Sequence, residues 1–528
     1  MNQTQQTPSF SVVLLGHELK YEVECILKLF IPATKFQFYY EDRMPLSAPQ
    51  PFAAVQVRQG RTHTWFYAAV RWKDGKLFRG CLRSSRILPE EEKAGCEYLC
   101  SQLLFRLLQQ ATGLTPPWGL LTGIRPVRKI MPLLQAGMRP AEIVPKLADR
   151  YWIRRDKLTL AMRTAQVQRP LLEATPKNSV SLYVSIPFCP TRCSYCSFVS
   201  HSMDSAQKLM PDYVRLLCRE LELWGEIVQE LGLTVDTIYF GGGTPTSLEA
   251  ADLARIMETI TRCFDCSHLR EYCVEAGRPD TITKEKLQTI LAMGADRISV
   301  NPQTLEDTVL QTIGRRHTAQ QAIDAFHLAR EVGCKNINMD LIAGLPGDTP
   351  EGFRRTLDGI FQLDPDSITV HTLTLKRAAA LFASGSSQID NPVEEMVQDS
   401  ILGMAKHNYL PYYMYRQKNT IDNLENVGYA RPGKESLYNI LIMDESQPIF
   451  GAGCAASTKL IEPCGRITRI HNYKFPYEYI RNFDQLMEKK QQVMEIYASI
   501  REQEQAGEQE QAGEQGKGLD RIEEKRYF

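Results

Sequence analysis

In the stretch FCPTRCSYC, Phe188 to Cys196, three thiols crowd a single turn-rich loop directly after the apolar run SLYVSIP. Thiolates are ligands for soft metals, so the loop has the composition of a metal or iron–sulfur site. A four-iron cluster held by four cysteines has no vacant position, whereas one held by Cys189, Cys193 and Cys196 leaves one iron free to bind something else. Zinc is the rival, because the same thiolates with His201 would complete a tetrahedral set. The spacing favours iron–sulfur: zinc ligands usually come as two spaced pairs, and here the pattern is C-x3-C-x2-C in one loop. Unligated thiols are the remaining alternative.

A second unusual stretch, TIYFGGGTPT, places Gly241, Gly242 and Gly243 where an apolar run ends. Such a backbone can approach a small ligand closely, although the same run suits a tight turn. Other features carry two readings each. Cys263 and Cys266 in CFDC have a metal-like spacing but no second pair. TGIRPVRK is either a basic anion site or a solvated loop, and His371, which ends the run SITV, faces a cavity or a structural partner.

The elements that must position these residues are clearest from Leu182 onward. Six apolar runs, LYVSIP, TIYFGG, EYCVEA, RISVNP, INMDLIAG and SITVHTL, alternate with longer helical patterns. That alternation implies parallel strands joined by right-handed crossovers, hence a barrel or part of one with helices outside and its chemistry at the C-terminal strand ends. Before it, SVVLLG reads as a strand, YEVECILKLF as a helix, AVQVRQGRTHTWFYAAVRW as a hairpin, and Glu90 to Gln110 as a helix ended by Pro116 and Pro117. Lys- and Arg-rich helical patterns then run to about Pro170, and LEATPKNSV reads as a linker. After the alternation, QPIFGAGCAASTKL is a strand meeting a small-residue turn, and REQEQAGEQEQAGEQGKG repeats a polar unit with almost nothing to bury. The domain reading is therefore 1–175, 176–380, 381–490 and a polar, partly helical or disordered tail, 491–528.

The 528 residues exceed what one core usually organises. Acidic and basic residues balance at 62 each, so no global field attracts nucleic acid or an anionic membrane. No apolar run approaches the ~20 residues needed to span a bilayer, and MNQTQQTPSF lacks the flanks of a signal peptide, so a soluble, cytoplasmic protein is expected. Most of the 14 cysteines are scattered singly through apolar segments, as buried thiols are in a reducing compartment.

CPTRCSYC resembles the signature of radical S-adenosylmethionine (SAM) enzymes, including the aromatic Tyr195 before the last cysteine. YVSIPFC, YFGGGTPT, VEAGRPD, the NPQT and IGRRHT pair, and MDLIAGLPGDT extend the likeness to the oxygen-independent coproporphyrinogen III oxidase group, over about Ser181 to Lys459. LLTGIRPVRK and YRQKN through ENVGYARPGKESLYNILIM resemble its HemZ branch, the coproporphyrinogen dehydrogenases. The fold this implies is α/β: a partial (β/α)6 TIM-like radical SAM barrel with an N-terminal α+β domain and a C-terminal α/β extension.

Carried over by motif, Cys189, Cys193 and Cys196 hold a 4Fe-4S cluster whose open iron takes SAM, Tyr183 flanks the SAM site, and Tyr195, Gly242, Gly243 and Thr244 belong to it. Glu275 lies near the ribose or amino group, and Gln303, Arg315 and Asp340 match polar positions around SAM; Tyr183 and Arg315 are the implied catalytic pair. An arginine can pair a carboxylate bidentately and an aspartate can accept from ribose hydroxyls. The resemblance implies reductive cleavage of SAM, hydrogen abstraction from a propionate of a tetrapyrrole and loss of carbon dioxide to leave a vinyl group, with an electron donor such as flavodoxin or ferredoxin. Arg278, Arg315, Arg316, Lys376 and Arg377 are candidate partners for the propionates, while the aromatics Tyr412 to Tyr415 read as packing rather than a porphyrin platform. Two departures stand out. Phe198 replaces a further cysteine of the oxidases, and SLYNILIM lacks the histidine of the haem-trafficking relatives. Haem binding, or another radical reaction on a tetrapyrrole, therefore stays open beside the dehydrogenase reading.

Overall fold

A computed structural model describes residues 10–32, 34–40, 51–85, 92–196, 201–202, 206–374, 392–417, 420–462 and 465–514. Phe198, Lys376, Arg377, the side chain of His201 and the end of the polar tail lie outside the described residues.

The first sheet contains β1 (Phe10–Leu15), β2 (Phe36–Tyr40), β3 (Phe52–Gln59), β4 (His63–Arg71) and β5 (Leu77–Ser85), in the order β2-β1-β3-β4-β5. β1 runs parallel to β2 and β3, and β3, β4 and β5 form the antiparallel meander that the hairpin pattern requires. Alternation along β4 buries every second side chain, and those residues pack with helices Lys20–Phe30 and Glu92–Thr112 into a core of their own. Of the helices from Met131 to Glu173, only the end of one, at Tyr151, touches that core. Ile143, Leu147, Leu158 and Ala165 pack instead into the large core of the following region.

That region is built on an eleven-stranded sheet. The six strands of the alternation are β6 (Ser179–Ile186), β9 (Thr234–Gly242), β10 (Glu271–Gly277), β11 (Arg297–Val300), β12 (Ile337–Ala343) and β13 (Ser367–Thr372), paired in parallel in that order. A two-stranded ribbon, β7 (Phe188–Cys189) with β8 (His201–Ser202), opens from the end of β6. The strands are nearly continuous apolar runs because both faces are covered, as parallel sheets require. Helix starts follow capping chemistry: the Thr283, Thr318 and Thr349 hydroxyls each accept a backbone N–H of the first turn, and Gln321 completes a capping box.

Both edges are extended by the C-terminal region. β14 (Leu410–Arg416) and β15 (Glu425–Ala430) add beyond β13, with β15 antiparallel to β13. β16 (Ile449–Ala452) pairs in parallel with β6, followed by antiparallel β17 (Ser457–Ile461) and β18 (Ile467–His471). Among the described residues the order β14-β15-β13-β12-β11-β10-β9-β6-β16-β17-β18 has two unpaired ends, as in a partial barrel.

Two buried ion pairs clamp these extensions. Lys157 Nζ lies 2.7 Å from Glu425 Oε1, and Trp118 Nε1 donates to Glu425 Oε2 at 2.8 Å. Lys490 Nζ lies 2.7 Å from Glu220, which also accepts from Tyr479, Asn472 and the Gly453 N–H. The polar tail accordingly begins later than residue 491: helix Phe483–Glu514 buries Val493, Tyr497 and Ile500, because its first half carries apolar residues on one face while the EQEQAG repeat does not. No described helix is long and apolar enough to cross a membrane.

Candidate functional site

The cysteine loop leaves the C-terminal end of β6. Its base is fixed against the end of β9: Gly243 N donates to Ile186 O at 2.7 Å and Thr244 N to Phe188 O at 2.8 Å. Gly242 has φ +106°, a conformation L side chains rarely adopt, and a Cβ on Gly243 would lie 2.6 Å from Phe188 O. The close approach these glycines permit is therefore, on one side, to the chain's own backbone. Farther along, Ser194 N donates to Ile313 O, and Cys196 N to Cys193 O. Cys189 is buried, Cys193 and Cys196 half-buried; the Cys189 thiol meets Thr244 Oγ1 at 3.5 Å.

Across the inner face, successive strands contribute one polar or aromatic side chain each. Tyr183 of β6 stacks with Tyr239 of β9 at 6.3 Å and with Tyr438 at 6.2 Å, and Tyr239 stacks on Tyr438 at 4.4 Å. Tyr239 donates to Glu275 Oε1 at 2.5 Å. Gly241 makes room for this pair, since a Cβ there would lie 3.0 Å from the Tyr239 ring and 3.4 Å from the Glu275 carboxyl carbon. Asp340 of β12 accepts from Asn338 Nδ2 at 2.7 Å and lies 3.8 Å from His371 Nε2; His371 Nδ1 is 3.3 Å from the Tyr415 hydroxyl. The two carboxyls are driven apart. Burial, reinforced by the charge of Asp340, outweighs the Tyr239 hydrogen bond and raises Glu275 to about 7. Burial presses Asp340 upward too, but the hydrogen bond and charge of His371, with bonds from Asn338 and Thr369, hold it below the ordinary range.

Gln303 and Arg315 complete the rim. Gln303 has φ +71°, strained for a residue with a side chain, and is held there by two backbone bonds to β12, Gln303 N to Asp340 O and Ile342 N to Gln303 O. Arg315 is buried, donating to Asn301 O at 3.0 Å and to the Tyr195 hydroxyl at 3.2 Å. The Tyr195 ring itself packs among Val309, Leu310, Ile313 and Leu373, so it braces the loop from the apolar side.

These residues fit a thiolate-held cluster and a polar cofactor. Among the described residues no group of three or more Cys, His, Asp or Glu converges as donors to a single ion must, but a four-iron cluster takes each thiolate on a different iron and requires no such convergence. Ser299 Oγ, Asn301 Oδ1 and Arg315 Nε are buried at the end of β11 with no hydrogen-bond partner, which is where a ligand with amino, carboxylate and hydroxyl groups would complete them.

Other expectations resolve differently. Arg278 is not available to a propionate: it is 3% exposed, bonded twice to Asp280 and turned onto the cysteine loop. Arg316 is exposed. In TGIRPVRK, Arg125 and Arg128 both pair with Glu445, which also receives Arg469, so the basic stretch is an internal ion network. Cys263 and Cys266 pack against the core. Tyr412 and Tyr413 are buried among Ala430 and Ile440 as packing residues, whereas Tyr415 reaches His371. Tyr239, Tyr438, Ser299 and Asn301 were not singled out by spacing, and Tyr415 was read only as packing. For Tyr239 a signal exists, since it stands two residues before Gly241 and so shares its face.

A profile described as the radical SAM superfamily matches residues 183–360. The chain is 42% identical over 405 residues, 75% of its length and 80% of the relative's, to the oxygen-independent coproporphyrinogen-III oxidase-like protein HemZ of Bacillus subtilis. It is 32% identical over 278 residues, 52% of its length and 69% of the relative's, to the heme chaperone HemW of the same organism. Among solved structures, coproporphyrinogen III oxidase (HemN) from Escherichia coli aligns with a TM-score of 0.47 at 23% identity, covering 61% of this chain and 73% of that one.

Proposed function

The chain belongs to the radical SAM superfamily and, within it, to the family of the oxygen-independent coproporphyrinogen-III oxidase-like protein HemZ, and from that premise we propose that it is a radical SAM oxidoreductase converting coproporphyrinogen III propionates to vinyl groups in haem biosynthesis. The observation that carries the reading is the ring of groups at the C-terminal strand ends: thiols after β6, glycines after β9, Glu275 on β10, unpartnered polar atoms after β11 and Asp340 on β12. When bound, the cluster and SAM supply the radical that removes a hydrogen atom from the substrate.

The chain's own residues bind and exclude. Cys189, Cys193 and Cys196 hold the cluster, leaving one iron for SAM. Arg315 Nε, Asn301 Oδ1 and Ser299 Oγ gain partners from the amino acid part of SAM, which relieves the cost of burying them unpaired. Asp340, kept ionised, accepts from ribose hydroxyls, while Glu275 close to neutrality carries a proton that it can donate. The stacked Tyr183, Tyr239 and Tyr438 close the cavity below and keep water from the reacting centre. A low-potential carrier such as flavodoxin or ferredoxin, in the cytoplasm, delivers the electron.

The test is anaerobic incubation of the cluster-reconstituted protein with SAM, dithionite and coproporphyrinogen III, read by mass spectrometry. Deoxyadenosine that depends on substrate, with loss of two carboxyl groups, supports the dehydrogenase; deoxyadenosine with an unchanged tetrapyrrole rejects that substrate. A second reading, haem binding with a regulatory cluster, is favoured by the likeness to a heme chaperone and by Phe198 in place of a further cysteine. It predicts stoichiometric haem binding with little deoxyadenosine, and a chain that takes up no haem excludes it.

A further inference from the structure

The geometry points to Arg278 as the residue that positions the middle cysteine and tunes the electron affinity of the cluster it helps to hold; this rests on the cluster reading above. Arg278 follows β10, two strands away from the loop, yet its guanidinium is directed onto it. Nη1 donates to Thr191 Oγ1 at 2.9 Å and Thr191 O at 3.2 Å, and lies 3.8 Å from Cys193 Sγ. The opposite side of the fork is taken by Asp280, with Nε to Oδ1 at 2.9 Å and Nη2 to Oδ2 at 2.7 Å. A buried guanidinium thus stands between a carboxylate and a thiolate, and two of the thiols differ in surroundings: Cys189 meets the neutral Thr244 hydroxyl, Cys193 a cation.

Charge and hydrogen bonds at ligating sulfurs set the potential of an iron–sulfur cluster, because reduction adds negative charge that a nearby donor stabilises. Arg278 therefore favours the reduced cluster, and Asp280 moderates that effect by partly cancelling its charge. His317, whose charged neighbours are Arg278, Arg315 and Asp280, is pushed down to about 4 by burial and the two guanidiniums, so it adds no charge to this balance at neutral pH. Arg278 is a positioning residue: it acts through Cys193 and Thr191, not on substrate.

The two partners give opposite signs. Full-length protein and its variants are reconstituted anaerobically, assayed for iron and sulfide, and titrated with dithionite, one electron per cluster, with the reduced cluster followed by electron paramagnetic resonance. Arg278→Gln should shift the midpoint potential negative and Asp280→Asn should shift it positive, while Arg278→Lys, which keeps the charge but not the fork, should fall between Arg278→Gln and the parent. If Arg278→Gln loses its iron, Arg278→Lys and Asp280→Asn still carry the measurement. Midpoints that coincide with the parent, or that move the same way in Arg278→Gln and Asp280→Asn as a merely loosened loop would produce, overturn the inference. A parent chain that binds no iron and sulfide overturns the cluster reading instead.

Discussion

Strand β10 carries two carboxylates, Glu271 buried and Glu275 half-buried, and the molecule treats them differently. At its start Glu271 accepts from Ser436 Oγ at 3.0 Å, Leu437 N at 2.7 Å and Tyr438 N at 3.2 Å, which anchors the N-terminus of helix Leu437–Asp444 beneath the sheet. At its other end Glu275 is bonded by the Tyr239 hydroxyl and pairs across the sheet with Ser299 of β11, whose hydroxyl has no hydrogen-bond partner. The first arrangement is complete without a ligand and serves stability. The second leaves buried polar capacity unused, a cost that folding alone does not offset.

Changes at the two ends should therefore separate. The largest effect is at the mouth: Cys193→Ala should abolish the brown cluster absorbance, the iron content and all deoxyadenosine formation while the far-ultraviolet circular dichroism stays as it was. Turnover that survives would collapse the contrast. Next is the floor, where Glu271→Ala leaves two buried N–H groups without their acceptor and should lower unfolding free energy by about 3 kcal/mol, measured in urea, with SAM affinity retained in the folded fraction.

A pH experiment sharpens the comparison further. Glu275 is raised from 4.5 to about 7, so between those values the folded chain binds more protons than the unfolded one. Its contribution to stability is then full below about 4.5 and is lost as pH rises through 7. The parent minus Glu275→Gln difference in unfolding free energy should fall across that window, and a flat difference would remove the distinction drawn here. The smallest effect expected is from His371→Asn, which takes away a hydrogen-bond partner of Asp340 and should weaken SAM binding about fivefold, on the order of 1 kcal/mol, by calorimetry.

Much of the site was legible in the chain because its information is local. The spacing of Cys189, Cys193 and Cys196, the three glycines and the six apolar runs each lie within a few consecutive residues, and a run of that kind has its period and its loop built in. The parallel order of β6 to β13 follows from the strand–helix alternation, since a parallel neighbour requires a long crossover. The role given to Arg278 was the clearest error in that reading. Its position near a strand end was right, but nothing in GRPD announces that the guanidinium folds back onto Thr191 and Asp280.

What the amino-acid order determined by itself was thus the thiol triplet, the glycine turn, the count of core strands and the absence of a dominating charge. Tertiary structure alone decided that β16 closes on β6, that the helix beginning at Leu437 seals the sheet from below, and that Lys157 and Glu425 meet across 268 residues. Pairings at such separation leave no periodicity in either segment, because the burial that makes a charge need its partner exists only once the chain has folded.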